Sequence, residues 1–402
     1  MAEGDIGAAI DLFGLTADLP GTKTMGYDII HVVGDVYVMA YHDEIVAVKH
    51  GRLATITIDT DGNIGAVPID ILEFSALLSW AMTLILISPT VVAVAYSSET
   101  GSGRIKTVSV DALGNLGAVI DTLDYGQIVG TGRPRDGIIH VSGDIYAIVK
   151  RGPGSDGWLV TVSIDAAGNI GAAAIDTFEF DDADCDYPDI VYVSGDVYAI
   201  AYKGTGSVGK IVTVSIDAAG NIGAAVIDSL QFDVAIVEDC RVRYVSGDIY
   251  AIIYSKDAAH KGFITTVDID PAGNIGAVID TQEISVNNQA LGPYILHVSG
   301  DVYLAVFSGD SAAGGSDFYA NSWPIDSAGN IGAQISGRKL KDALITIDYR
   351  DMPCVYVGGQ VYAALFSMAN SAYLVTFPVE TLFGGGPGGR NIAESMVKAV
   401  LI

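Results

Sequence analysis

The sequence predicts an all-β protein: a seven-bladed β-propeller of four-stranded antiparallel blades, closed by its own N-terminal strand. Three observations carry this. A turn motif, IDxxGNIGA or a near variant, places its asparagine at Asn63, Asn115, Asn169, Asn221, Asn274 and Asn330, at intervals of 52, 54, 52, 53 and 56 residues. Between these copies falls a second motif: VVGDVYVMAY from Val32, VSGDIYAIV from Val141, VSGDVYAIAY from Val193, VSGDIYAIIY from Val245, VSGDVYLAVF from Val298 and VGGQVYAALF from Val357. The degenerate SPTVVAVAY from Ser88 fills the second slot, which makes seven copies. Third, the last unit lacks a strand that the N-terminus supplies. A fixed period of this length signals a repeat architecture.

The unit from Asp189 to Phe232 shows what repeats. It reads DIVYV, a turn at SGD, VYAIAY, a glycine-rich loop, KIVTVSI, a turn at DAAGN, and IGAAVIDSLQF. Each run is rich in Val, Ile, Tyr and Thr and is bounded by Gly, Asp or Asn, the composition of strands joined by tight turns. Four strands per period with no helical periodicity describe a propeller blade. The apolar window from Ala76 to Tyr96 is interrupted by Ser79, Ser88, Pro89 and Thr90. A membrane-spanning helix needs continuity there, so the window is read as two buried strands around a turn.

Closure follows from the ends. The seventh unit, Met352 to Val379, has three strands and then runs into GGGPGG, whereas Gly4 to Phe13 read GDIGAAIDLF, matching GNIGAAVIDSLQF from Gly220. The N-terminus is therefore expected to complete the last blade, which removes open sheet edges. The propeller is assigned residues 1–383, with 1–13 forming the outer strand of blade 7, and 384–402 a linker and tail.

The VSGDVYAIAY and TVSIDAAGNIGA units resemble those of uncharacterised propeller-repeat proteins of environmental, archaeal and phage-like genomes. The resemblance covers roughly residues 4 to 380, and blade 2 departs most because it lacks the SGD turn. It implies the fold and a phage-like setting; the relatives share no established activity.

Charge narrows the partners. Lysine and arginine total 21 against 48 acidic residues, a formal charge of -27 that repels phosphate backbones and excludes nucleic acid as the expected partner. Three cysteines, Cys185, Cys240 and Cys354, fit neither a disulfide framework nor a paired-cysteine zinc site, and are read mostly as free thiols, a Cys185–Cys240 bridge being the alternative. The start, MAEGDIGAAIDLF, lacks the basic, apolar pattern of a signal peptide.

Candidate chemistry gathers where each outer strand hands over to the next blade. Asp28, Asp136, Asp186, Asp189 and Asp351 lie there, with Arg133, Arg135, Arg241 and Arg350 beside them. They are taken as a ligand-binding set on one face. No cofactor is expected, with calcium at IDTDGN in blade 1 as the alternative; a glycine-bearing hairpin turn accounts for all six copies. His31, His140 and His297 share their repeat position with Tyr192, Tyr244 and Tyr356, which points to packing rather than to a metal. GPGSDG from Gly152 and GTGSVG from Gly204 match GxGxxG but are flanked by strands on both sides, so they are loops.

No nucleophile elbow, HExxH helix or cysteine cluster appears. After the glycine-rich linker, Ile392, Met396, Val397, Val400 and Leu401 fall at helical spacing, predicting a short amphipathic helix that docks on the propeller or on another subunit. The expected function is non-enzymatic: a binding or structural propeller, virion-associated or attached to a cell surface, with protein subunits of a larger assembly as partners and the tail for self-association. The competing class is a carbohydrate-binding or carbohydrate-active propeller, lectin or hydrolase, using Trp80, Trp158, Tyr187, Asp186 and Asp189 against a surface glycan.

Overall fold

The computed structural model describes residues 2–15, 23–45, 48–98, 101–128, 137–257, 259–285, 289–310, 316–342, 352–368 and 371–381. Within them the β-forming runs make seven four-stranded antiparallel blades. Blade 4 is representative: Cys185–Ser194 is the inner strand, followed by Val197–Gly204, Gly209–Ser215 and the outer strand Asp228–Asp233. Blades 3, 5 and 6 repeat this order from inner strands Gly137–Ser142, Val237–Ser246 and Leu291–Ser299. Blades 1 and 2 share one long strand, Asp70–Ser88, which is outer in blade 1 and inner in blade 2. The apolar window turns at Pro89 and Thr90, and the chain returns as Val91–Ser98, two strands around a turn as expected.

Side-chain size explains how the blades stack. Along VYAIAY of blade 4, Tyr198, Ile200 and Tyr202 pack with Ala147, Val149 and Leu159 of blade 3. The intervening Ala199 and Ala201 face blade 5, where Tyr250, Ile252 and Tyr254 fill the room they leave. Strand alternation thus gives blade 4 a large face and a small face, the large one packed on blade 3 and the small one filled by the large side chains of blade 5.

Two rings of hydrogen bonds tie neighbouring blades together. A third-strand hydroxyl donates to a glycine carbonyl in the next blade's last turn: Thr55 to Gly114, Thr107 to Gly168, Thr161 to Gly220, Thr213 to Gly273, Thr266 to Gly329, Ser322 to Gly4 and Thr376 to Gly62, each at 2.6 Å. On the outer strands Asp11, Asp70, Asp121, Asp176, Asp228 and Asp280 accept the N–H of Ile64, Leu116, Ile170, Ile222, Ile275 and Ile331 at 2.8–2.9 Å. Ser336 Oγ takes the seventh place, accepting Ile6 N–H at 3.2 Å.

The N-terminal strand Asp11–Leu15 pairs with Ser371–Pro378 and completes blade 7. The turn before it is assembled from both chain ends. Gly4 N–H donates to Glu380 O and Glu380 N–H to Asp5 O, at 2.8 and 2.9 Å, as Gly62 and Asp59 do within the continuous turn of blade 1. Gly4 has φ +83°, matching +88° at Gly62, a conformation a Cβ would strain.

Candidate functional site

The two faces of the ring are built from different connections. One, called lower, carries the SGD and IDxxGN turns; the other, upper, carries the loops after each second strand and the hand-over from outer strand to next inner strand. An inner strand has one edge with no strand partner, so N–H groups there need another acceptor. Entering from the upper face, the inner strands break register at Gly26/Asp28, Trp80/Thr83, Asp186/Asp189, Glu238/Arg241 and Leu291/Tyr294. Three of these bulges hold a non-glycine residue in the left-handed region, Ala81, Tyr187 and Asp239 at φ +51°, +53° and +55°. Each stores about 1–3 kcal/mol of strain that the surrounding ring must hold.

Just after the bulge, matched aspartates reach across to the next blade. Asp28 Oδ2 accepts Leu84 N–H at 2.8 Å, and Asp189 Oδ2 accepts Val242 N–H at 3.0 Å. Asp189 also accepts Arg243 Nη1 at 2.6 Å, and that guanidinium lies 5.1 Å from the Tyr294 ring centroid. Burial works against the Arg243 charge, but Asp189 and Tyr294 together more than compensate and hold its pKa above the usual range.

Further out, the seams around blade 4 are clasped. Asp181 of blade 3 accepts Tyr202 Oη at 2.7 Å and Lys210 Nζ at 2.8 Å from blade 4. Asp233 of blade 4 accepts Tyr254 Oη at 2.7 Å and pairs with Lys256 at 2.9 Å in blade 5. Burial pushes both carboxyls up, and the hydrogen bonds they accept outweigh it, so both sit below the usual carboxylate range. Arg151 of blade 3 meets Asp186 at 3.0 Å, with Lys203 at 3.6 Å from the other oxygen.

The predicted set divides accordingly. Asp28 and Asp189 occupy matched positions, as the repeat implied, and both serve as bridges between blades. Asp186 belongs to the Arg151 clasp, and Arg241 is buried with Nη1 donating to Cys240 O at 2.7 Å. Arg133, Arg135, Asp136, Arg350 and Asp351 lie outside the described residues, as do Ile392, Met396, Val397, Val400, Leu401 and the expected helix. Trp158 is the second residue of the third strand of blade 3, opposite Lys150 and half-buried, whereas Trp80 lies on the inner strand of blade 2. The bulges themselves were missed, because a bulge is defined by the register between two paired strands.

Other motifs resolve into structure. His31, His140 and His297 donate from Nε2 to the carbonyls of Gly34, Gly143 and Gly300 at 2.7–2.8 Å and pack on Tyr37, Tyr146 and Tyr303. Tyr356 does the same from its hydroxyl to Gly359 O. In IDTDGN, Asp59 Oδ1 accepts the N–H of Asp61 and Asn63, and Oδ2 accepts Asn63 Nδ2, so the carboxylate organises its own turn. The glycine-rich loops contain short 3₁₀ turns at Pro153–Ser155 and Thr205–Ser207, each between strands. All three cysteines are free and buried, and burial raises each thiol above its usual range. Among the described residues no three His, Cys, Asp or Glu side chains converge as metal ligands, and no helix is long and apolar enough to cross a membrane.

No protein-family model and no curated protein sequence matches the chain. Solved structures do. The periplasmic gluconolactonase of Pseudomonas aeruginosa superposes with TM-score 0.53 at 13% identity, covering 76% of this chain and 83% of that one. Sqt1 of Chaetomium thermophilum gives 0.51 at 12% identity over 98% and 90%, and a Dyadobacter fermentans protein of unknown function gives 0.50 at 9% identity over 90% and 100%. At such identities the likeness is one of fold.

Proposed function

We propose that the chain is a non-catalytic binding propeller whose upper face recognises a partner, in the setting of attachment or assembly on a particle or cell surface. One observation carries the reading. At a single geometric position on the inner strands, opposite the second strand and just inside the upper face, stand Asp28, Thr83, Gly137, Asp189, Arg241 and Tyr294 in blades 1 to 6. On the lower face the same blades repeat one turn with one hydrogen-bond pattern. Asp28 and Asp189 use this position to bridge blades, and the change of side chain from blade to blade at one geometry supports a face whose rim varies around the ring and can carry recognition.

A second reading, a lectin or glycan hydrolase, draws on the half-buried Trp158 lying in the same blade as Arg151, which is paired to Asp186. An apolar ring near fixed polar groups suits a sugar. One experiment separates these readings: wild type, the Trp158→Ala/Tyr187→Ala double variant and a lower-face Leu113→Ser control are applied to a glycan array and to envelope and particle fractions. The binding reading expects capture that the double variant loses and the control keeps, without product release. Loss in the control alone sinks the upper-face assignment, and glycan product abolished by Asp189→Asn replaces binding with catalysis.

A further inference from the structure

A cleft of about 240 Å³ opens at the seam between blades 7 and 1, with Phe13 and Leu15 on one wall, Tyr41 and Ile71 on the other, and Asp43 and Arg52 at its polar end. Comparison with other seams explains why it is there. Between blades 3 and 4, Phe180 packs edge-on against Tyr202, with centroids 5.3 Å apart, and Asp181 crosses the seam to Tyr202 and Lys210. The seam between blades 4 and 5 repeats this with Phe232, Tyr254, Asp233 and Lys256.

At the closure seam Tyr41 and Arg52 hold the places of Tyr202 and Lys210, since each pair is opposed in register. The partner wall differs: Leu15 stands where Phe180 does, and the sequence has Thr16 where Asp181 is. Arg52 turns instead to its own blade, meeting Asp43 Oδ2 at 2.5 Å and Glu73 at 3.1 Å. Asp43 replaces Gly204 of the blade 4 pattern. It is 7% exposed, and its Oδ1 is buried with no hydrogen-bond partner among the described residues. A buried carboxylate oxygen left without a donor is costly, and native proteins retain few of them.

From these groups we infer that the cleft is a binding site for a compact organic ammonium ion. The ammonium N–H donates to the Asp43 carboxylate, whose buried Oδ1 a turn of the side chain brings to the cleft, and the apolar body lies among Phe13, Leu15 and Ile71. Asp43 and Glu73 against Arg52 leave one formal negative charge, and the net -27 of the chain draws cations towards the surface. The volume lies below the roughly 300–1,000 Å³ of pockets for drug-sized ligands, so the occupant is small. The inference is independent of the upper-face reading.

The test titrates the full chain at neutral pH with benzylamine and with benzyl alcohol, its neutral isostere, by calorimetry and methyl NMR. Benzylamine is expected to bind saturably and shift the Leu15 and Ile71 methyls, with benzyl alcohol at least about tenfold weaker. Asp43→Asn should cost at least about tenfold. Leu15→Phe, which installs the residue of the filled seams, should weaken binding without lowering the melting temperature, and it decides the matter if Asp43→Asn does not fold. Equal binding of the two probes, binding indifferent to both variants, or no saturable binding overturns the site.

Discussion

The lower and upper faces of this ring are made by the same seven repeats, yet they spend them differently. On the lower face the six continuous turns use one arrangement: the aspartate takes the N–H groups two and four residues on, and the asparagine amide closes the loop, as in Asp165 with Ala167 and Asn169. On the upper face the fastening changes around the ring, with one clasp shared by the two seams of blade 4. Asp181 and Asp233 clasp either side of blade 4, Lys150 donates to the Tyr125 and Gln127 carbonyls between blades 2 and 3, and Arg52 stays within blade 1. The ring is thus fastened periodically on the lower face and seam by seam on the upper one, so a repeat protein can vary one side without losing the fold.

The largest expected effect comes from breaking the periodicity at its one discontinuity. Deleting residues 1–15 removes the outer strand of blade 7, the Gly4 acceptor of Ser322 and the Asp11 acceptor of Ile64 together. It leaves an unpaired edge on Ser371–Pro378. Loss of the cooperative melt and a shift to aggregates in size exclusion are expected; a monomer with native melting would show that closure does not depend on this strand.

Within the closed ring, Asp189→Ala should cost about 2 kcal/mol, because it removes the carboxylate partner of Arg243 and the acceptor of Val242 N–H at once. The matched Asp28→Ala should cost less, since its Oδ2 serves a backbone N–H. Lower-face Thr→Val changes should cost about 1 kcal/mol each, and nearly the same at Thr55, Thr161 and Thr213, where the bond to the next blade is identical. Chemical denaturation of the five variants checks the contrast. Scatter among the threonines as wide as that between the aspartates would dissolve it.

This division also decides what the sequence could reveal. Strand count, closure and the turn chemistry are periodic, so GDIGAAIDLF at one end could be matched with the missing strand at the other, and His31 could be equated with Tyr356. Asp28 and Asp189 were legible as matched positions, but not their target, because Leu84 and Val242 come from the next blade. The bulges at Ala81, Tyr187 and Asp239 stayed hidden, since a bulge is a property of two paired strands and no single run records it. The cleft at Asp43 arises from absences: Leu15 is smaller than Phe180, and no residue matches Asp181 in kind. Those become visible only once the seams are superposed.

The smallest effect per site is expected from acid. Asp59, Asp111, Asp165, Asp217, Asp270 and Asp326 are all held below the ordinary aspartate value of 3.8, first by the side-chain amide of their turn asparagine and then by its backbone N–H. A carboxyl whose pKa is lower folded than unfolded stabilises the fold above the unfolded value. That contribution is lost as pH falls below about 3.8 and through the folded pKa. Melting temperature should therefore be flat in this respect from pH 7 to about 5 and fall below about 4. Because Asp111 is exposed and the other five are only half-buried, each share is small and only the repetition makes it measurable. Asp165→Asn should blunt the acid limb slightly and Asp165→Asn with Asp217→Asn further, in equal steps, if the lower face is as uniform as its hydrogen bonds; unequal steps would mean that the turns differ in the unfolded chain or in the ring.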